Sequence, residues 1–133
     1  MSDYFFIVSE FNGKVLDVQG ASQSQGAKLI TWDHNGQPNQ RFRFDKNGFI
    51  VSAHSGMVLD VEGGAIQGRH LIQWPAHGGE NQRWKLFRDG TIGLVGRDLV
   101  IDIEGANPNP GAQLIAWPRN NGPNQKWRIV NTW

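Results

Sequence analysis

Apolar residues in this chain fall into short alternating runs rather than at helical spacing. In Leu16-Asp17-Val18-Gln19 the aliphatic side chains face one way and the polar ones the other, the period of a strand with one face buried. The run returns as Leu59-Asp60-Val61-Glu62 and Ile101-Asp102-Ile103-Glu104. A second run, Leu29-Ile30-Thr31-Trp32, returns as Leu71-Ile72-Gln73-Trp74 and Leu114-Ile115-Ala116-Trp117. A third motif, Asn39-Gln40-Arg41-Phe42, returns as Asn81-Gln82-Arg83-Trp84 and Asn124-Gln125-Lys126-Trp127, so that its glutamines step by 42 and 43 residues. Between the runs lie clusters of Gly, Pro, Asn and Ser at 20–26, 35–38, 78–79, 106–111 and 120–123, residues that tolerate turn geometry. The pattern predicts an all-β chain of three repeated units, about 4–47, 48–91 and 92–133, each with about four short strands.

Three units limit the ways the chain can close. A propeller needs at least about four blades, so threefold closure into a small barrel with a hairpin cap is expected, as one domain over 1–133. Folding at this length hides roughly two-thirds of the surface of the unfolded chain, enough for one core and too little for two. Five of the six tryptophans fall at repeat positions. Trp84, Trp127 and Phe42 are expected in the core, while Trp32, Trp74 and Trp117, each within three residues of a turn, are expected at a partly exposed rim.

Composition narrows the function. Glycine, at 17 of 133 residues, is well above the usual ~7%, and sparse Ala, Leu, Glu and Lys argue against long helices. Thirteen Lys and Arg against twelve Asp and Glu leave a net charge of +1, which gives no electrostatic reason to expect nucleic acid or an anionic membrane as partner. Basic residues do alternate with aromatics in Arg41-Phe42-Arg43-Phe44, Arg83-Trp84-Lys85 and Lys126-Trp127-Arg128. Strand period turns those rings inward and the charges outward, leaving no stacking plate beside the charge. The absence of cysteine excludes disulfides, thiolate metal sites and a thiol nucleophile. Met1-Ser2-Asp3-Tyr4 lacks the basic and apolar regions of a signal peptide, the longest apolar run (4–8) is far too short to span a membrane, and no Asn-x-Ser/Thr acceptor is present. A soluble product, cytoplasmic or released without a signal peptide, is expected; the sequence leaves homodimer formation open.

The three Gln-x-Trp/Phe motifs, with Asp and Trp at fixed distances before them, resemble the ricin-type, or R-type, β-trefoil lectins from about Tyr4 to Trp127. Trp74-Pro75-Ala76-His77-Gly78-Gly79 resembles the cysteine-free, stand-alone members. The one departure, Phe42 in place of Trp, falls on a core position of the family. The resemblance implies a β-trefoil fold and a non-enzymatic carbohydrate-binding protein with up to three sites and no cofactor. The implied partners are glycans containing galactose or N-acetylgalactosamine.

A neutral sugar presents hydroxyls that donate and accept and an apolar face of ring C–H groups, so a site for it wants a carboxylate, an amide and an aromatic plate. Each unit has the set: Asp17, Asn39 and Trp32; Asp60, Asn81 and Trp74; Asp102, Asn124 and Trp117. The resemblance implies that these contact sugar, with Gln40, Gln82 and Gln125 bracing the Asp. It also implies a further polar contact from Asn35, His77 and Asn120, three residues after each rim Trp, with His34 competing for the role of Asn35. Glu62 and Glu104, with Gln19 at the same position of the first unit, either accept one more hydroxyl or are solvated. His54 and His70 lack metal-ligand spacing and are expected at the surface. Sites related by threefold symmetry on such a domain are expected roughly 24 Å apart.

Two rivals remain. Asp60/Glu62 and Asp102/Glu104, two apart on an exposed strand, would place carboxylates roughly 7 Å apart, a spacing that suits an inverting glycosidase. An exposed strand, however, gives no reason for a raised carboxyl pKa, and the first unit has Gln19 in place of the second acid. Alternatively, the domain is a trefoil interaction protein whose sugar sites are vestigial.

Overall fold

The computed structural model describes residues 3–131; Met1 and Ser2 of the N-terminal stretch, Thr132 and the sixth tryptophan, Trp133, lie outside the described residues. Among the described residues twelve strands follow the three sequence units, four to each. They are β1 (Phe6–Ser9), β2 (Val15–Val18), β3 (Leu29–Trp32) and β4 (Phe42–Phe44); β5 (Ile50–Ser52), β6 (Val58–Val61), β7 (Leu71–Trp74) and β8 (Trp84–Leu86); β9 (Ile92–Leu94), β10 (Val100–Ile103), β11 (Leu114–Trp117) and β12 (Trp127–Val130). Single 3-10 turns at Pro38–Gln40, Glu80–Gln82 and Pro123–Gln125 precede the last strand of each unit. Among the described residues no helix is long and apolar enough to cross a membrane.

The sheets do not coincide with the sequence repeats. Their strand orders are β12-β1-β2-β3, β4-β5-β6-β7 and β8-β9-β10-β11, so each sheet takes its first strand from the preceding unit. Strand β12 pairs with β1 from Phe6↔Val130 to Ser9↔Trp127, which joins the two ends of the chain. The ring of β1, β4, β5, β8, β9 and β12 closes through three further contacts. Phe5 and Phe42 exchange backbone hydrogen bonds (2.8 and 2.9 Å), Trp84 N–H donates to Gly48 O (2.8 Å), and Trp127 N–H donates to Gly90 O (2.8 Å). At the other end β3, β7 and β11 meet around the threefold axis. There Gly26 N–H donates to Gln73 O, Gly68 N–H to Ala116 O and Gly111 N–H to Thr31 O (2.8, 2.7 and 2.7 Å). This is the barrel and hairpin cap of a β-trefoil.

Core-facing residues repeat with the units: Leu16, Val18 and Leu29, then Leu59, Val61 and Leu71, then Ile101, Ile103 and Leu114, all buried in one cluster. Phe42, Trp84 and Trp127 fill equivalent places in it. The indole N–H of Trp84 donates to Leu59 O and that of Trp127 to Ile101 O, both at 3.1 Å, which satisfies the one polar atom each ring brings inside. Phe42 has no such donor and brings a smaller ring. Trp32 and Trp117 by contrast are exposed and Trp74 is half-buried, so the six described aromatics at the repeat positions divide into core and rim as expected.

This division predicts that Trp84→Ala costs about 3–5 kcal/mol, from lost burial and the cavity it leaves, whereas Trp117→Ala costs about 1 kcal/mol or less, as at an exposed position. Guanidinium denaturation monitored by far-UV circular dichroism measures both; equal losses would contradict the assignment.

Candidate functional site

Each site is built on the residue between the two core-facing positions of the second strand. Leu16 and Val18 point into the core, so Asp17 faces away from it, yet Asp17, Asp60 and Asp102 are only 4, 3 and 4 % exposed. What covers them is the Asn-Gln pair of the 3-10 turn. Gln40 Nε2 donates to Asp17 Oδ2 (2.9 Å) and to Asp33 O (2.9 Å), while its Oε1 accepts the Asn35 N–H (2.9 Å). Gln82 makes the same three bonds to Asp60 Oδ2, Pro75 O and His77 N–H (2.8, 3.0 and 2.9 Å). Gln125 makes them to Asp102 Oδ2, Pro118 O and Asn120 N–H (2.9 Å each). All three glutamines are wholly buried, so they hold the carboxylate and the loop after the rim Trp in one frame and do not themselves reach a ligand.

The neighbouring asparagines play a narrower part than their side chain allows. Asn39 Nδ2 donates to Asp17 Oδ1 and Val18 O (3.2 and 3.1 Å). Asn81 donates to Asp60 Oδ1 and Val61 O (3.2 and 2.9 Å), and Asn124 to Asp102 Oδ1 and Ile103 O (3.4 and 3.1 Å). With both N–H groups committed, each offers a ligand its carbonyl oxygen, an acceptor, and not the donor that composition alone allows. The donor comes from the loop. Asn35 Oδ1 accepts the Gln37 N–H (2.9 Å), Asn120 Oδ1 accepts the Gly122 N–H (2.8 Å), and His77 Nδ1 accepts the Gly79 N–H (2.9 Å). These turns leave the side-chain N–H of each to the hollow; for His77 this fixes the neutral tautomer with its proton on Nε2, 3.6 Å from Asp60 Oδ2.

The three groups line hollows of about 470, 420 and 410 Å³, floored by Ile30, Ile72 and Ile115 and walled by Trp32, Trp74 and Trp117. Each Trp leans on a glycine of another unit. A Cβ built on Gly111, Gly26 or Gly68 would lie 3.6, 3.8 or 3.7 Å from Cζ3 of Trp32, Trp74 or Trp117. The opposite wall is a turn in left-handed backbone conformation: Gly20-Ala21 (φ 69° and 51°), Gly63-Gly64 (80° and 125°) and Gly105-Ala106 (65° and 50°). The isoleucines lie one residue from a core leucine and are not singled out by the sequence pattern, where the glycines mark only turns. The repeat at 20, 63 and 105 was the available signal for that wall.

Three expectations need correction. Asp60/Glu62 and Asp102/Glu104 do not share an exposed strand: β6 and β10 end at Val61 and Ile103, and Glu104, like Gln19, begins a 3-10 turn. Glu62 instead pairs with Lys28 (3.1 Å) and Glu104 with His70 (3.3 Å), both partners coming from the preceding unit. Nor are the aspartates ordinary. Burial pushes the carboxyl pKa of Asp17, Asp60 and Asp102 above the usual value, against hydrogen bonds from the glutamines that lower it. Finally, His34 does not line the first hollow; its ring packs edge-on against Phe6 (4.6 Å). His54, expected at the surface, lines it instead, together with Gln37 and Pro38.

Residues 3–129 match the family model of the ricin-type beta-trefoil lectin domain. The chain belongs to this family. Its fold closely matches the designed threefold-symmetric protein ThreeFoil (TM-score 0.89, 38% identity, 98% of this chain and 100% of that one). It also matches the C-half of an earthworm R-type lectin solved in complex with GalNAc (TM-score 0.88, 32% identity, 98% and 100%). Mucoricin of Rhizopus delemar is 40% identical over 53 residues, 38% of this chain and 35% of mucoricin, so the match spans about a third of that protein. This lectin domain binds carbohydrate, and the Asp-Asn-Trp hollows are its candidate sites.

A buried carboxylate makes this pH-dependent. The unfolded chain releases these protons near the ordinary value of 3.8 and the folded chain above it. Between the two the native state holds more protons, so the burial cost, felt in full above the raised pKa, is relieved as pH falls. Acid should therefore neutralise the sites without these groups unfolding the domain. Retention on immobilised glycan is expected to fall with a midpoint above 3.8 while Trp fluorescence stays native; loss only upon unfolding would contradict this.

Proposed function

We propose that the domain is a non-enzymatic lectin for glycans containing galactose or N-acetylgalactosamine, engaged through all three hollows. The observation that carries the reading is the threefold repetition of one polar pattern beside one plate: two carboxylate oxygens and an Asn carbonyl as acceptors, one N–H donor, and a Trp face. Each Asp oxygen already accepts one bond from Asn or Gln, and a carboxylate has about four lone-pair sites, so two vicinal hydroxyls can still be held. Such charge-assisted bonds are the strong ones. An axial 4-hydroxyl leaves one face of a galactose-type ring apolar enough to lie on indole, and the earthworm lectin domain solved with GalNAc, 32% identical over nearly the same length, supports that configuration.

Binding rather than bond cleavage fits the acids. Glu62 and Glu104 are engaged by Lys28 and His70, and the first hollow has Gln19 in their place. A hollow holding one sugar on one plate with a few hydroxyl bonds gives a Kd of ~1 mM, or ~4 kcal/mol. Useful strength then comes from number, with avidity gains of about 10²–10⁴ where several glycans are engaged together.

Calorimetry with methyl galactoside is expected to return three sites per chain. Asp17→Ala, Asp60→Ala and Asp102→Ala should each lower retention on a galactoside surface and together abolish it; a stoichiometry of one, indifferent to two of the substitutions, would show two hollows to be vestigial. Binding is expected to survive EDTA, since the ligating set needs no cation. Loss in EDTA with recovery in calcium would overturn that mode of recognition.

A further inference from the structure

The three hollows are alike in their inner wall and unlike in their outer one. The first is larger by about 50 Å³, and three of its lining residues, Gln37, Pro38 and His54, have no counterpart lining the others. The sequence explains two of these differences. Gln37 lies two residues after Asn35; the equivalent positions after His77 and Asn120 are Gly79 and Gly122, which carry no side chain. A Cβ there would meet His77 Cε1 at 2.6 Å or Asn124 Oδ1 at 2.7 Å, so those side chains would have to shift to admit one. His54 lies six residues before Asp60 but serves the hollow of Asp17; at the same distance before Asp102 stands Gly96, and before Asp17 stands Phe11, which packs against the core.

We infer that the first hollow holds a second sugar residue, linked to the one on Trp32, in a subsite formed by His54, Gln37 and Pro38. His54 is held in place for such a contact. Its Nε2 lies 3.0 Å from Ala21 O, and its own carbonyl accepts the Gln23 side-chain N–H at 3.0 Å. A carbonyl only accepts, so Nε2 carries the proton and Nδ1 is left as an acceptor in the neutral ring. Gln37, whose backbone N–H is tied to Asn35 Oδ1, keeps its exposed amide as donor and acceptor. Pro38 adds an apolar surface that needs no hydrogen bond. An acceptor, an amide and an apolar face are the requirements of a pyranose, set beside the first subsite rather than within it. The side chains come from two units, so the subsite exists only where the second unit abuts the first. The second and third hollows, lacking it, take a terminal residue alone.

This inference rests on the carbohydrate-binding reading above, and its test separates the two. The indole N–H resonances of Trp32, Trp74 and Trp117 in the full chain report each site. The probes are methyl galactoside and galactosyl disaccharides of β1,3 and β1,4 linkage. For at least one linkage the disaccharide should bind about ten-fold more tightly than the monosaccharide at Trp32, with changes of about two-fold or less at Trp74 and Trp117. The double variant His54→Ala, Gln37→Gly should bring the disaccharide-to-monosaccharide ratio at Trp32 down to that of the other two sites. Equal gains at all three sites, no gain at Trp32, or a gain that persists in the double variant would overturn the subsite. Failure of methyl galactoside to bind at any site would overturn the galactoside reading itself, and the subsite with it.

Discussion

The interaction on which both fold and sites depend is the hydrogen bond from a wholly buried glutamine to a nearly buried aspartate. Gln40, Gln82 and Gln125 each give their two N–H groups to the carboxylate of the second strand and to a carbonyl of the loop after the rim Trp, and accept an N–H of that loop in return. A carboxylate out of water is costly unless hydrogen-bonded. The glutamine makes that burial tolerable and fixes the oxygens in one orientation. It also pins the loop that carries the donor residue, so strand, loop and 3-10 turn form one rigid frame, the arrangement that keeps a shallow site organised before any ligand arrives.

Threefold closure distributes each site over two units. Behind every rim Trp is a glycine of another unit, and beside the second and third hollows the acid is engaged by a basic or imidazole side chain of the preceding one. The backbone bonds that join β3, β7 and β11 run around the axis in one cycle, as do those closing the barrel. No unit alone completes a sheet, a core or a site. That is why the pairing of β12 with β1, the last strand with the first, matters to the hollows as much as to stability.

Departures from symmetry sit where they alter chemistry. At the axis Thr31, Gln73 and Ala116 occupy one position, and only Gln73 ties the neighbouring unit by side chain, donating to Ser22 O and Ser24 O (3.0 and 2.8 Å) and accepting from Ser55 Oγ (2.8 Å). His77 replaces asparagine in the second loop yet accepts the same turn N–H through Nδ1. One hydrogen-bond role is kept while the group shown to a ligand changes from amide to imidazole. Equal spacing in sequence has therefore produced three hollows of related but distinct character.

The number of units, their strand period, the division of aromatics between core and rim, and the grouping of Asp, Asn and Trp in each unit were legible in the chain, because local alternation and a repeat of 42 or 43 residues need no knowledge of packing. That the glutamines brace the aspartates was implied by the family resemblance and not by spacing, because many residue types recur at equally fixed distances. What the sequence did not carry was anything decided by packing between units or by the end of a strand. Period-2 alternation ran one residue too far, assigning Glu62 and Glu104 to strands that stop at Val61 and Ile103, and it gave no hint that Asp17, Asp60 and Asp102 lie out of water. The sheets straddle the repeats, the Trp plates lean on glycines 48, 49 and 79 residues away, and His54 serves the hollow of the unit before its own. Each depends on which backbones meet once the ring has closed, a property of the threefold assembly that no single unit contains.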